Sequence, residues 1–312
     1  MSDWWSILRG ILGMSPSEEN WRTLWQHLLI APSGEHEHIT QYVNAHTASW
    51  PAAVREVRLT EVQRLVEEDL VWCLAIPRCL TLDANLSDRA LQSLHEALRG
   101  SEITHLQNIP GSLSLPFLLE VMTTRPLKSL RSLSVDRVVL GDKIIDTLAR
   151  LPIVHNLQSL TLKHCQMGQA GMMQLTRSPY LSQLTELTLV HVGGARLRFP
   201  ELFRAPMVHR LHTLHLEGDK METEAVSALC QSLQLKKLVS LTCCDSHLGD
   251  REARLLAQAS NLRSLKELDL SANQIGPVGR DELTQSPHLQ ALERLCLDDN
   301  PCTHIEMESI AR

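Results

Sequence analysis

His164 and His191 lie 27 residues apart, an interval that recurs through much of this chain. The two imidazoles therefore hold equivalent places in successive structural units. If those units are neighbouring strands, their Cβ atoms stand about 5 Å apart. That spacing suits two ligands of one metal ion, with His215 or Asp245 as a third. Cys244 and Cys296 are candidate nucleophiles for the same region, flanked by His191 as a base and Asp245 as an orienting group. Their order follows the repeat interval, however, and no catalytic spacing accompanies them. His36-Glu37-His38 makes a weaker metal motif. The chain contains no G-x-S-x-G, H-E-x-x-H, C-x-x-C or phosphate-cradling loop. Gly193-Gly194 follows an expected strand, but no helix-opening Lys-Ser/Thr pattern comes after it. The reading is a protein that is not an enzyme, needs no cofactor and has no metal site, His164 and His191 being the weak candidates for one.

The elements that position these residues are repeated. Leu130, Leu157, Leu184, Leu211, Leu238, Leu265 and Leu292 each open the phrase L-x-x-L-x-[LVC]. A fixed period of this length marks one structural unit stacked in a row. Alternation at Leu268-x-Leu270 has the period of a strand. Ala253, Leu256 and Ala257 then fall on one helical face. Pro152, Pro179, Pro206 and Pro287 occupy one slot, where a residue unable to continue a helix closes it. Each unit is thus expected to be strand, turn, helix and return loop. One such unit buries too little apolar surface to fold alone, so stacking must supply the rest.

In its detail the pattern resembles the leucine-rich repeat signature L-x-x-L-x-L-x-x-[NC], carried by Leu265, Leu268, Leu270 and Asn273 and by Leu157, Leu160, Leu162 and Cys165. The 27-residue unit with a helical second half is similar to the ribonuclease-inhibitor-like class. Gly168-x-x-Gly171 with Ser178-Pro179-Tyr180-Leu181, and Gly276-x-x-Gly279 with Ser286-Pro287-His288-Leu289, resemble the repeats of bacterial leucine-rich repeat proteins. The resemblance implies an α/β fold: a right-handed solenoid, or horseshoe, with a parallel β-sheet on the concave face and helices on the convex face. It covers roughly residues 54–300, degenerate over 54–129 and regular from 130. Upstream, Ile103-x-x-Leu106 with Gly111, and Leu80 and Leu82 with Asn85, extend it, and Val54, Val57, Leu59 and Val62 read as a first strand. In the family the residue after the strand bonds the backbone of adjacent turns. Val138 and Val192 lack the polar atoms for it, so that ladder is expected to be looser in the N-terminal half.

A net charge of −6 argues against a general nucleic-acid binder, and 4% aromatic residues against base-stacking platforms. The eight cysteines show no paired or metal-type spacing and read as thiols of a reducing compartment. Met1–Met14 lacks a basic leader and a cleavage site, and its apolar run is too short to span a bilayer, so a cytoplasmic location is expected. All six tryptophans fall between Trp4 and Trp72. Ser15-Pro16-Ser17-Glu18 reads as a helix start, Trp21, Leu24, Trp25, Leu28 and Leu29 as its apolar stripe, and Ile39, Tyr42 and Val43 as a second short helix. Residues 1–53 are expected to cap the first repeat, with 54–312 forming the repeat domain. Alternatively Trp4, Trp5, Ile7, Leu8, Ile11 and Leu12 dock a partner. After Asn300 only Ile305–Ile310 remains as a partial helix, which leaves self-association through the C-terminal edge open.

The non-leucine positions of the strands face the concave side. Arg131, Arg137, Lys163, His164, His191, His212 and His215 make its middle basic and histidine-rich. Glu217, Asp245, Glu267, Asp269, Asp298 and Asp299 make its C-terminal third acidic. The expected function is a non-catalytic scaffold binding another protein through Arg137, Lys163, His164, His191, His215, Glu217, Asp245 and Asp269. The alternatives are a two-part adaptor, docking one partner through residues 1–53, and a metal or enzymatic site on the concave histidines.

Overall fold

Strands and helices alternate along the chain at the interval the leucines announce. The computed structural model describes residues 2–83, 103–108, 130–193 and 197–302. Asn85, Gly111, Gly194 and the stretch Ile305–Ile310 lie outside them. Two units are distinguished, Met1–Ser134 and Val135–Arg312.

The first unit opens with three helices, α1 (Ser2–Leu12), α2 (Glu18–Leu28) and α3 (His36–His46). Ser17, rather than Ser15, caps α2: its hydroxyl accepts the Asn20 N–H at 3.1 Å, and Pro16 stands before the cap. Trp21, Leu24, Trp25 and Leu28 are buried along one face of α2, as are Ile39 and Val43 of α3. Four parallel strands follow, β1 (Glu56–Arg58), β2 (Cys79–Leu82), β3 (His105–Asn108) and the start of β4 (Ser132–Asp136), paired in that order. The first strand is shorter than Val54, Val57, Leu59 and Val62 suggested. Glu61 accepts the Arg58 N–H at 2.9 Å, which caps a helix α4 at Leu59–Glu67. Leu59, Val62 and Leu65 recur every third residue and are buried on one face of α4, so here a helical period prevails over the strand period.

The outer edge of β1 is closed from within this unit. Residues of one strand point their N–H and C=O groups alternately to either side, and Val57 faces β2. Glu56 and Arg58 therefore face outward. The Trp21 indole donates to the Glu56 carbonyl at 2.7 Å, and Glu61 takes the Arg58 N–H. Buried Arg55 braces the same region, its guanidinium donating to the Asn44 amide oxygen at 2.6 Å and to the carbonyls of Thr47 and Ile76.

The second unit contains α5 (Gly141–Arg150), β5 (Ser159–Lys163), α6 (Gln169–Thr176), β6 (Glu186–Val190), α7 (Pro200–Arg204), β7 (Thr213–Glu217), α8 (Thr223–Cys230), β8 (Ser240–Cys244), α9 (Asp250–Ala257), β9 (Glu267–Asp269), α10 (Pro277–Thr284) and β10 (Arg294–Cys296). Strands β5 to β10 are parallel and in register, Leu160 beside Leu187, Leu187 beside Leu214 and Leu214 beside Leu241. Repeat leucines such as Leu157, Leu160 and Leu162 are fully buried, and their counterparts as far as Leu270 are at most 1% exposed. Leu292, Leu295 and Leu297 of the last repeat are only half-buried.

Three side-chain ties join successive units. Asn273 accepts the N–H groups of Ser246 and Leu248, each at 3.0 Å, and donates to the carbonyls of Cys243, Leu270 and Ser271. Asn300 repeats the arrangement with Ile275 and Leu270, and buried Asp219 accepts the N–H groups of Val192 and Gly193. At Cys165 and at buried Val192 backbone carbonyls stand in, Leu140 N–H to Cys165 O at 3.0 Å and Met167 N–H to Val192 O at 2.5 Å, while the backbone that Val138 would serve lies outside the described residues. Asp142 accepts the N–H groups of Gly168 and Gly171 at 2.7 and 2.8 Å, and Asp250 those of Gly276 and Gly279 at 2.7 and 3.0 Å. An acid from one unit thus caps the next unit's helix, where unpaired N–H groups and the helix dipole favour it. The third tie runs from Ser178 and Ser232 to the Ala149 and Phe203 carbonyls, each at 2.5 Å, with Ser286 bonded likewise to Ala257.

These ties explain Gly-x-x-Gly through contact distance. A Cβ on Gly279 would lie 2.6 Å from the Asp250 carboxylate and 2.9 Å from Ile275, whereas one on Gly10, inside α1, would meet nothing within 4 Å. Gly279→Ala is expected to destabilise the protein by about 1–3 kcal/mol through overpacking. Gly10→Ala is expected to stabilise it by about 0.5–1 kcal/mol through helix propensity. Denaturation midpoints of the two variants, measured side by side, check both signs.

Candidate functional site

The sheet of the second unit carries its helices on one face, and the other face presents the side chains that alternate with the leucines. Just past each strand the backbone turns through the left-handed region. Arg137, His164, His191, Asp245, Ala272 and Asp299 have φ between 46° and 56°, and Gly218 has φ 74°. These seven residues recur every 27 positions and form a rim. Each of the first six donates its N–H to the carbonyl just before the next rim residue, His164 to Val190 O at 2.8 Å and Asp245 to Ser271 O at 3.2 Å. The register of the sheet thus continues into the rim, and its side chains recur at roughly the 4.8 Å strand spacing.

Most of the expected site residues lie on this rim or beside it. Arg137 and Asp245 are exposed, and Lys163 ends β5 half-buried. The His164 imidazole Nδ1 is 3.0 Å from the Asp136 carboxylate. The His191 Nδ1 is 3.2 Å from the Gly218 carbonyl, and the ring fills space that a Cβ on Gly218 would take. The two rings stack, with centroids 5.2 Å apart and planes at 22°. They meet face to face, which turns their nitrogen lone pairs away from a shared point. Among the described residues no group of three His, Cys, Asp or Glu side chains is placed to hold a metal ion. His36 stacks on Trp72 at 4.4 Å, and His38 packs against Trp5 at 5.3 Å.

A second cluster lies further along the face. The His215 Nε2 is 2.8 Å from the Glu217 carboxylate. Asp269 accepts the Ser271 hydroxyl at 2.6 Å and the Ser271 N–H at 3.0 Å. Burial works to raise the Asp269 pKa, but these two bonds, the Cys244 thiol and nearby His215 outweigh it and hold the carboxyl below its ordinary value. Cys244 itself is pushed up to about 12, by burial first and then by the Asp269 and Glu217 carboxylates. The groups that act on it are Asp269, Glu217 and the Ser271 backbone, rather than the His191 and Asp245 that its place in the sequence suggested. Glu267 bonds Arg294 and Ser240. Arg131 and His212 stand immediately before β4 and β7, at the strand ends away from the rim.

Three residues that shape the site were visible at the strand ends in the sequence but not among the expected contact residues: Asp136, Gly218 and Ser271. Asp136 carried a signal, since it holds in its unit the place Glu217 holds in another. Gly218 carried a fainter one, as the single glycine in the rim register.

The fold and this face define a class, a protein of leucine-rich repeats arranged as an α/β solenoid. A leucine-rich repeat model matches residues 261–283. The fold is similar to that of a Bacteroides fragilis protein, with a TM-score of 0.50 and 16% identity over 77% of this chain and 70% of that one. An internalin from Listeria monocytogenes matches with a TM-score of 0.46 and 17% identity, over 72% of this chain and 62% of the internalin, less than two thirds of its length. No curated protein matches the chain in sequence. Among the described residues no helix is long and apolar enough to cross a membrane.

The Asp269 environment sets a pH dependence. A carboxyl whose folded pKa is depressed stabilises the fold above its unfolded pKa, and that contribution is lost as pH falls through the folded value. Asp269→Asn is expected to cost stability at pH 7 and to cost progressively less below about pH 4. Urea midpoints of both proteins across that range, failing to converge in acid, would refute the assignment.

Proposed function

We propose that this protein is a non-catalytic scaffold that binds another protein across the open sheet face of its second unit. Arg137, Lys163, His164, His191, His215, Glu217, Asp245 and Asp269 are the contact residues. One observation carries the reading: a register-locked row of charged and imidazole side chains stands on a face that no helix among the described residues covers. Complementary charge sets orientation and on-rate for a protein partner. The protonated Cys244 thiol supports the non-catalytic part, since a thiolate is the nucleophile. Affinity capture with the full chain tests this. The double variant His191→Glu/Asp269→Lys is expected to lose a partner that the parent retains. Unchanged capture by a folded double variant rejects the face as the binding surface.

We assign residues 1–53 the role of a cap on the repeat domain 54–312. The Trp21 bond to the Glu56 carbonyl supports it, because it occupies an outward-facing group of an edge strand. Ile7 and Met14, 53% and 48% exposed, are the features that favour a docking role instead. Removing residues 2–53 is expected to yield an aggregating or unfolded chain. A folded monomer lacking one partner would instead establish the adaptor reading.

A further inference from the structure

Charges along and beside the rim divide into committed and uncommitted groups, and the division is ordered along it. Asp136 with His164, Glu217 with His215, and Asp269 with Ser271 are already bonded within the face. Arg137 and Lys163 have no side-chain partner among the described residues, and neither do Asp245, Asp298 and Asp299. Along the rim the uncommitted cations stand at one end and the uncommitted anions toward the other, while the exposed acid Glu186 lies at the opposite end of its strand.

The rim also sets a length and a period. Arg137 to Asp299 spans six strand intervals, about 29 Å at ~4.8 Å each. An α-helix covers that distance in roughly 19 residues and returns a side chain to the same face about every 5.4 Å. An extended strand does so about every 6.8 Å. The helical interval stays nearer to the spacing of the rim.

We propose that the partner element seated on this rim is an α-helix of about five turns lying across the strands. Its acidic end lies over Arg137 and Lys163, and its basic end over Asp245, Asp298 and Asp299. Acid near a helix N-terminus and base near its C-terminus is also the order the helix dipole favours, so the N-terminus points toward Arg137. The proposal rests on the open-face reading and adds the class and direction of the partner.

The test uses three synthetic peptides of about 21 residues on an alanine-rich background, long enough to span the rim as helices. One has glutamates in its first two turns and lysines in its last two. The second has the same composition with the charges alternating. The third is the block peptide with two central prolines. Binding to the full chain is read by fluorescence anisotropy at low and at physiological salt. The block peptide is expected to bind about tenfold more tightly than the alternating one, with affinity falling as salt rises. The proline peptide is expected to lose binding. Arg137→Glu/Lys163→Glu and, separately, Asp298→Lys/Asp299→Lys are each expected to weaken the block peptide about tenfold. Circular dichroism of each variant checks that it remains folded.

Equal binding of block and alternating peptides overturns the charge order, and equal binding of the proline peptide overturns the helix. If no peptide binds while the His191→Glu/Asp269→Lys variant still loses a natural partner, this inference fails and the open-face reading stands. If neither effect is seen, both fall.

Discussion

A turn that follows a buried strand leaves backbone N–H and C=O groups inside the protein without a strand to pair them, and the whole array depends on satisfying those groups. Each buried polar group left unpaired costs roughly 1–3 kcal/mol. Asn273 meets the demand for its turn with one amide, receiving two N–H groups and giving to three carbonyls across neighbouring units. Asp219 can only accept, and it takes two N–H groups. At Val192 the side chain contributes nothing polar, and a direct backbone pair to its carbonyl takes over. Three chemical solutions hold the same geometry, so the register is a property of the backbone and the ladder residues adapt to it.

That order of dependence accounts for what was legible in the sequence. The leucines announced the register because they are the same residue doing the same burial in unit after unit as far as Leu270, and Leu157, Leu184 and Leu211 are all fully buried. Where one residue served two periods, the reading slipped. Leu59 and Val62 fit a strand as well as a helix, and the outcome turned on Glu61, whose carboxylate reaches back to the Arg58 N–H. Gly-x-x-Gly was visible as a motif, but its reason lies 26 and 29 residues upstream, in Asp142 and Asp250. A motif whose cause belongs to the preceding unit cannot be decoded inside its own.

The site was legible in position and opaque in orientation. Equal spacing correctly put His164 and His191 side by side, yet nothing in it distinguished convergent nitrogens from stacked rings. The difference came from two local partners, Asp136 and the carbonyl of Gly218. Cys244 shows the same limit. Its place in the chain suggested His191 and Asp245 as companions, whereas strand pairing set it among Glu217, Asp269 and Ser271. Sequence distance orders residues along the array, while chemistry on the face is decided by which end of each strand a side chain leaves from.

The left-handed rim has a consequence for how such a surface changes. An L-residue held in that conformation costs roughly 1–2 kcal/mol, less for aspartate, asparagine and histidine, and β-branched residues suffer most. The seven positions hold arginine, two histidines, glycine, alanine and two aspartates, with no β-branched residue among them. Exchanges among aspartate, asparagine and histidine at the non-glycine positions leave the conformational penalty nearly constant. The lettering along this edge can be rewritten, and a new recognition pattern acquired, while the body beneath it keeps the same stability.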